Sequence, residues 1–468
     1  MKQSNTFIAL DIGTSFIKGA LLDLDTRTMS NIMRQPFPEP VPNLPANFFE
    51  VDPDALISAV RQLLMSLADQ VPDCRGVVTC TQMHGLVLTD NNHHPLTNII
   101  TWRDQRTINP HPAGNSSYYD VLIAQLTERE RAELGGGLRA GLPIGTLFWM
   151  AEENRLPPSP ATPLTLSEFV LGALCTGDIN PIIEPTNAAA YGAYDISRET
   201  WHSSVLEKLG LAGLQWPEIG SVSSVIGYAD LNGQRVPCYT SVGDHQCALA
   251  GSFLETGELS LNVATGSQVS LITPTLSLGQ YETRPYFDHR FLNTLVKLPA
   301  GRSLNLLVNL VTELSAREGA ALANPWASIT DAVTEVGQQG VENPLTIDLA
   351  FYDSADGADG SIGNIREDNL SVGHLFHAAF QRMAHNYVQY GLQVAGAQHT
   401  WHRIVFSGGL VQKVDALRQM ILDTFQQAEL EYSHRLSMEE EDTLLGLMVI
   451  ALHISSEADS VAEATRFF

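Results

Sequence analysis

The 468-residue chain is long enough for two domains. Hydrophobic residues make up 44% and charged residues 17%, which excludes a disordered chain or a coiled coil. The net charge of −25 excludes nucleic acid and anionic membrane as main partners, though not an anionic ligand held where local N–H groups or a cation reverse the field. The five cysteines are scattered and contain no CxxC pair, which fits a reducing compartment and excludes a structural zinc site. Asp11 interrupts the only apolar run near the N-terminus, and no stretch reaches the roughly 18 apolar residues of a membrane span, so a soluble, cytoplasmic protein is expected.

In chain order, Phe7–Leu10 and Ile17–Leu22 read as strands of a meander joined by Asp11–Ser15. A Pro-rich connection covers 35–46. Asp52-Pro53-Asp54 then caps a helix with Leu56, Val60, Leu63, Leu64 and Leu67 at helical spacing. A buried strand Gly76–Cys80 leads into Thr81-Gln82-Met83-His84-Gly85, and helices are expected over 119–134 and 143–153. Another strand, Val236–Val242, ends in Gly243-Asp244-His245-Gln246, ahead of a small-residue helix over 246–254. In the second half, Glu258–Thr273 repeats the strand, Gly-turn, strand pattern of Phe7–Asp23, about 250 residues on. A helix over 372–394, a strand Arg403–Ser407, a helix from Gly409 to about 427 and a last helix over 440–455 complete the reading, with Glu439–Asp442 as a solvated helix start. The pattern is α/β in both halves, with lobes at 1–247 and 248–468.

The two Gly-turns carry the first chemical signal. Gly13, Thr14 and Ser15 in one, and Ala264, Thr265, Gly266 and Ser267 in the other, offer backbone N–H and hydroxyl groups to phosphate oxygens, and glycine lets the backbone approach. Asp11 beside such hydroxyls suits a hydrated Mg²⁺; the alternative is a carboxylate capping a hairpin. Asp244, at a strand end, is placed either to accept the proton of an attacking hydroxyl or to cap the next helix. Gln82, Met83 and His84 suit a polyhydroxylated ligand, unless His84 is a satisfied structural residue. Trp102 offers an apolar wall, and Asp104 either binds sugar hydroxyls or pairs with Arg106. Ser407-Gly408-Gly409 makes room for a flat base or is a plain tight turn.

Taken together, these residues resemble the FGGY family of carbohydrate kinases from about Phe7 to Gly446. Asp11-x-Gly13-Thr14-Ser15 with Lys18 is similar to its first phosphate loop, and Asn262-x-Ala264-Thr265-Gly266-Ser267 to its second. Gly243-Asp244-x-Gln246 is similar to its catalytic-base motif, and Ser407-Gly408-Gly409 to its adenosine motif. The resemblance implies two ribonuclease-H-like lobes of the actin and hexokinase type, with an active-site cleft between them. It implies ATP and Mg²⁺, with Asp244 as base and, with Asp11, near the metal. Gln82, Met83, His84, Trp102, Asp104, Asp244 and Gln246 would face the sugar. Gly13, Thr14, Ser15, Lys18, Thr265, Gly266, Gly408, Gly409 and Gln412 would face ATP. Gln82-Met83-His84-Gly85 is similar to the ketose kinases; glycerol kinases have an Arg-Glu pair in place of Met83-His84. Thr101-Trp102-x-Asp104-x-Arg106, Phe148-Trp149 and Asn187–Gly192 put sedoheptulose first as the expected sugar, ahead of xylulose. Rival expectations are a non-catalytic sugar- or nucleotide-binding protein and a metal-dependent hydrolase of the same architecture. A homodimer is one option for assembly.

Overall fold

The computed structural model describes residues 5–71, 73–158, 160–177, 179–397, 400–428, 432–437 and 441–468. Contacts divide the chain into two units, one of residues 1–254, 283–291 and 439–468, the other of 255–282 and 292–438. Both are α/β.

The first unit opens with the expected meander: β1 (Thr6–Ile12), β2 (Phe16–Asp23) and β3 (Thr28–Pro36), antiparallel in sequence. Helix α1 (Pro53–Ala68) begins where the sequence predicts: the Asp52 carboxylate accepts the N–H groups of Asp54 and Ala55, with Pro53 at the first helical position. It buries the predicted stripe of Leu56, Val60, Leu63, Leu64 and Leu67. Strand β4 (Cys74–Thr81) runs parallel to β1 and sets Cys80 opposite Asp11. There follow α2 (Leu166–Leu174), β5 (Cys175–Thr176), α3 (Pro185–Ala189), β6 (Val225–Leu231), β7 (Gln234–Tyr239), β8 (Val242–Gly243) and α4 (Asp244–Gly251). The sheet order is β3-β2-β1-β4-β7-β6-β5, with β8 also paired to β4. Ile8, Leu10, Val60, Phe169 and Val236 are among its core residues. Strands β1, β4 and β8 therefore end side by side at Ile12, Thr81 and Gly243. Ends of sheet strands are where sites in α/β folds collect.

In the second unit, β9 (Glu258–Val263) and β10 (Ser267–Thr273) form the second hairpin. Helices α5 (Gly301–Arg317), α6 (Pro325–Gln339) and α7 (Val372–Ala395) follow, then β11 (Arg403–Ser407), α8 (Gly409–Lys413), α9 (Asp415–Gln427) and β12 (Ser433–Leu436). The strands lie in the order β10-β9-β11-β12. Phe376, Phe380, Met383 and Val394 of α7 share a core with Leu259, Leu261 and Phe406. The chain then returns to the first unit as α10 (Asp442–Ile454).

The structure differs from the sequence reading at five points. The helix expected over 119–134 is two, Tyr118–Gln125 and Glu128–Glu133, because Thr127 and Glu130 form a reciprocal capping box that starts a new helix. The helix expected from Gly409 to 427 breaks at Val414, whose backbone (φ −116°, ψ 83°) leaves the helical region. The small-residue helix begins at Asp244, not 246, so Asp244 occupies its first turn. Residues 439–468 belong to the first unit, whereas the expected division put them in the second: α10 is apolar nearly all round and packs on α4 by backbone contact. Of the run Glu439–Asp442, residues 439–440 lie outside the described residues. Glu441 is buried, not solvated, and pairs with Lys18 Nζ at 3.0 Å and with Arg34.

Candidate active site

In the first unit the site grows from the three strand ends. Asp11 is 5% exposed. Its Oδ2 accepts the Thr443 hydroxyl at 2.8 Å and lies 4.0 Å from Lys18 Nζ, while its Oδ1 is buried without a partner among the described residues. Burial raises the Asp11 pKa, and the Thr443 hydroxyl and the Lys18 charge oppose that rise. Half-buried Asp244, next to Gly243 at the end of β8, is pushed up to about 7, by burial first and by the Asp11 charge next. Asp442 is pushed up to about 6, chiefly by burial, with the Asp11 charge contributing. The Asp11 charge thus raises both Asp244 and Asp442, and the unpartnered Asp11 Oδ1 is the kind of oxygen donor that a hard divalent cation takes.

The turn after β1 is tied to the turn after β4. Gln82 donates from its backbone to Ile12 O at 2.8 Å and from Nε2 to Gly13 O at 3.2 Å, and its Oε1 accepts the Thr14 hydroxyl at 3.4 Å. The Trp102 indole N–H donates to Thr14 Oγ1 at 3.1 Å, with the ring 43% exposed. Ser15 is exposed. His84 adopts a left-handed backbone, φ +67°, which turns its ring back to the Asn187–Gly192 segment. There Nδ1–H donates to Ala190 O at 2.8 Å, which leaves Nε2 as the acceptor for Arg139 Nη2, also 2.8 Å away.

Behind Asp244, buried Arg284 donates to His245 Nδ1 at 3.1 Å and to Met83 Sδ at 3.7 Å. Burial, then the Arg284 and Arg139 charges, hold the His245 pKa down at about 3, so its ring is neutral. Gln246 donates to Pro285 O at 3.2 Å, and its buried Oε1 has no partner among the described residues. A Cβ on Gly243 would sit 2.9 Å from that oxygen and 3.2 Å from Met83 Sδ, so glycine permits this packing. Asp104 corrects the expectation of a sugar ligand. It is 1% exposed, and both its oxygens are taken, by Arg106 (2.7–3.0 Å) and by the Phe49 N–H at 2.7 Å. The ion-pair reading is the one the structure supports.

In the second unit Thr265 lines a cavity of about 650 Å³ together with Gly301, Asn305, Trp326, Gly409 and Lys413. Gly408 has φ +92°, and a Cβ there would lie 2.6 Å from Val263 O; Gly409 and Gly266 face open space. The Gln412 amide is engaged elsewhere, donating to Ser437 O at 3.0 Å, and does not line the cavity. The sequence reading missed Arg139, Arg284, Thr443, Gly301, Asn305 and Trp326. Only Asn324-Pro325, a helix-start signal just before Trp326, was visible locally. Among the described residues, the group of three whose ligand atoms lie close enough to share a metal is Glu133, Asp195 and His202. Their bonds to one another and to Arg129, Ser197 and Arg198 already satisfy them.

A carboxylate with a raised pKa at a strand end, beside a Gly-turn with hydroxyls, fits a phosphotransferase. The chain belongs to the FGGY family of carbohydrate kinases, whose N-terminal domain model matches residues 6–251. It is a sugar kinase, and its family implies ATP and a sugar as substrates. The sedoheptulokinase of Mus musculus is 21% identical over 475 residues, covering 89% of this chain and 92% of that protein. Among solved structures, a gluconate kinase from Lactobacillus acidophilus superposes with a TM-score of 0.82 at 18% identity, covering 99% of this chain and 92% of that one. A ligand-bound xylulose kinase from the same organism gives 0.81 at 17% identity, with the same coverage. The two-lobed fold expected from the sequence is consistent with these likenesses.

Proposed function

We propose that this kinase phosphorylates the terminal hydroxyl of a ketose with ATP, sedoheptulose to sedoheptulose 7-phosphate being the first choice and a pentulose such as xylulose the second. The observation that carries the reading is Asp244, half-buried at a strand end and pushed up to about 7 beside Asp11. That value lies near the working pH, where a general base combines ionisation with proton affinity. Similarity to a sedoheptulokinase over 89% of the chain supports the choice of sugar.

On this reading Asp244 accepts the proton of the attacking hydroxyl. Met83, His84, Trp102 and Gln246 surround the sugar: Met83 and Trp102 as apolar walls, Gln246 through its unpartnered Oε1. Gln82 holds the first phosphate loop, and Asp104 holds Arg106 and the turn after Trp102. Thr14, Ser15, Thr265 and Gly266 meet phosphate oxygens, and Gly408-Gly409 border the base. Asp11, through its water shell, and Asp244 would hold Mg²⁺, which when bound would neutralise charge on the phosphoryl oxygens. Positioning and charge stabilisation carry most of such a reaction.

The test is ADP release with ATP and Mg²⁺ against sedoheptulose, D-xylulose, D-ribulose, L-ribulose, L-fuculose, L-rhamnulose, glycerol and no sugar. Fast release with one ketose and little without sugar is expected. Release with glycerol alone, or none with any ketose, would overturn the substrate class.

A further inference from the structure

The segment Glu184-Pro185-Thr186-Asn187 lies against the strand that delivers Asp244, and each of its polar side chains is buried: Glu184 is 4% exposed, Thr186 0% and Asn187 1%. Glu184 caps α3, its Oε2 accepting the Thr186 N–H at 2.8 Å. The same oxygen accepts the Thr186 hydroxyl proton in a short hydrogen bond. With its proton committed there, the Thr186 oxygen presents lone pairs, and one takes the Gly243 N–H at 2.9 Å. Next along, Asn187 Nδ2 donates to Ser241 O at 3.0 Å. Strand β8 is thus held at two points on one side and by the Cys80–Thr81 ladder of β4 on the other. A cap alone would explain Glu184 and the Thr186 N–H; it does not explain a hydroxyl aligned to a neighbouring strand.

We propose that Glu184 and Thr186 are positioning residues for Asp244: the carboxylate fixes the threonine hydroxyl, and the hydroxyl fixes the Gly243 peptide from which Asp244 projects. The inference rests on Asp244 being the base. Charge-assisted and chained hydrogen bonds are stronger than isolated neutral ones, so Glu184, once ionised above about pH 7, stiffens the Gly243 contact through Thr186. A valine at 186 keeps the shape, drops the hydroxyl and leaves the buried Gly243 N–H unsatisfied. A small displacement of a reacting group costs about 10²-fold in rate. Neither residue touches the sugar in this reading, so the loss falls on kcat and not on KM.

The experiment compares wild type, Asp244→Asn, Thr186→Val, Thr186→Ser and Glu184→Gln in the ADP-release assay, with sedoheptulose and D-xylulose as the probe sugars. Amide hydrogen exchange of the peptide covering Ser241–Gln246 is followed in the same proteins. Thr186→Val is expected to lose about 10²-fold in kcat with KM for the sugar within about threefold. Its Ser241–Gln246 amides are expected to exchange faster, and Thr186→Ser should restore both readouts. If Thr186→Val does not fold, Glu184→Gln decides at about pH 8, where Glu184 is ionised, because it keeps a cap oxygen and removes the charge: kcat should fall about tenfold with KM unchanged. Full turnover by Asp244→Asn sinks the base itself. A dead Asp244→Asn alongside wild-type kcat and wild-type exchange in Thr186→Val or Glu184→Gln overturns the positioning role alone.

Discussion

Asp244 is held in an environment that disfavours its own charge, and that gives it two linked roles. Burial and the Asp11 charge lift its pKa to about 7. An unfolded aspartate ionises near 4, so from about pH 4 to 7 the unfolded chain gives up this proton and the folded chain keeps it. The group's contribution to stability therefore falls through that window, and the penalty is complete above it. Asp244→Asn removes the penalty along with the base. It should abolish turnover, leave sugar binding largely intact, and raise Tm at pH 8 more than at pH 5; calorimetry at the two pH values and a turnover assay read both effects. A Tm gain of equal size at both pH values would show that the carboxylate is not strained. His84 makes a different expectation. Its ring is fixed by Ala190 O and Arg139, so His84→Ala should raise the sugar KM more than the ATP KM. Steady-state titrations of each substrate decide this, and an unmoved sugar KM removes His84 from the site. Asp11, His84 and Asp244 were legible in the sequence because each follows a short apolar strand and sits in a local turn pattern. Arg139, Arg284 and Thr443 were not, since a lone polar side chain more than 30 residues from its partner leaves no local pattern; only the fold brings Thr443 to Asp11.

The pair α4 and α10 shows what an element contributes beyond its side chains. A Cβ on Gly251 would fall 1.8 Å from Asp442 O, and one on Gly446 would fall 1.9 Å from Cys247 O. The two helices cross backbone to backbone at these glycines, with no room for a methyl group on either. Helix α4 carries Asp244 in its first turn, and α10 carries Asp442 and Thr443 in its own. The glycine contact therefore sets the spacing of the carboxylates. Gly446→Ala should force the helices apart, with a loss of about 1–3 kcal/mol from overpacking and a fall in kcat. Chemical denaturation and turnover test it, and wild-type values in both would mean that the helices slide without consequence. A glycine in a helix reads in the sequence as a mild destabiliser, and nothing local says which other helix it meets. The same holds for α5 and α6. Their apolar stripes are partial, with Leu306, Leu310 and Leu314 exposed, so their place beside the nucleotide-sized cavity follows from packing against α7 and not from any motif.

At the scale of the whole molecule, several buried acids among the described residues keep their protons up to near neutral pH, and this sets how stability depends on pH. Glu168 is fully buried, has no hydrogen-bond partner for either oxygen among the described residues, and is pushed up to about 8, chiefly by burial. Glu184 is pushed up to about 7 by burial, and Asp244 also reaches about 7. The buried thiols shift the same way, Cys74 to about 11. Carboxylates lowered by partners, such as Glu130 at about 2, contribute stability that is fully present above the unfolded value and is lost only in acid. His245, held neutral at about 3, costs stability only where the unfolded chain binds its proton, below about pH 6.5. Between pH 7 and 9 the raised carboxyl groups are still titrating, and each holds a proton that the unfolded chain has released, while Cys175, lowered by its hydrogen bond to Cys238, acts in the opposite sense. The unfolded state binds fewer protons across this window, so stability must fall as pH rises. The free protein's Tm should drop by roughly 5 °C from pH 7 to 9. Glu168→Gln, neutral at every pH, should flatten the profile most at its upper end, where Glu168 ionises. A wild-type Tm that holds steady or climbs across pH 7–9 would mean that these acids are already charged in the fold. A Glu168→Gln profile parallel to wild type would instead move the source to the Asp244 and Glu184 pair.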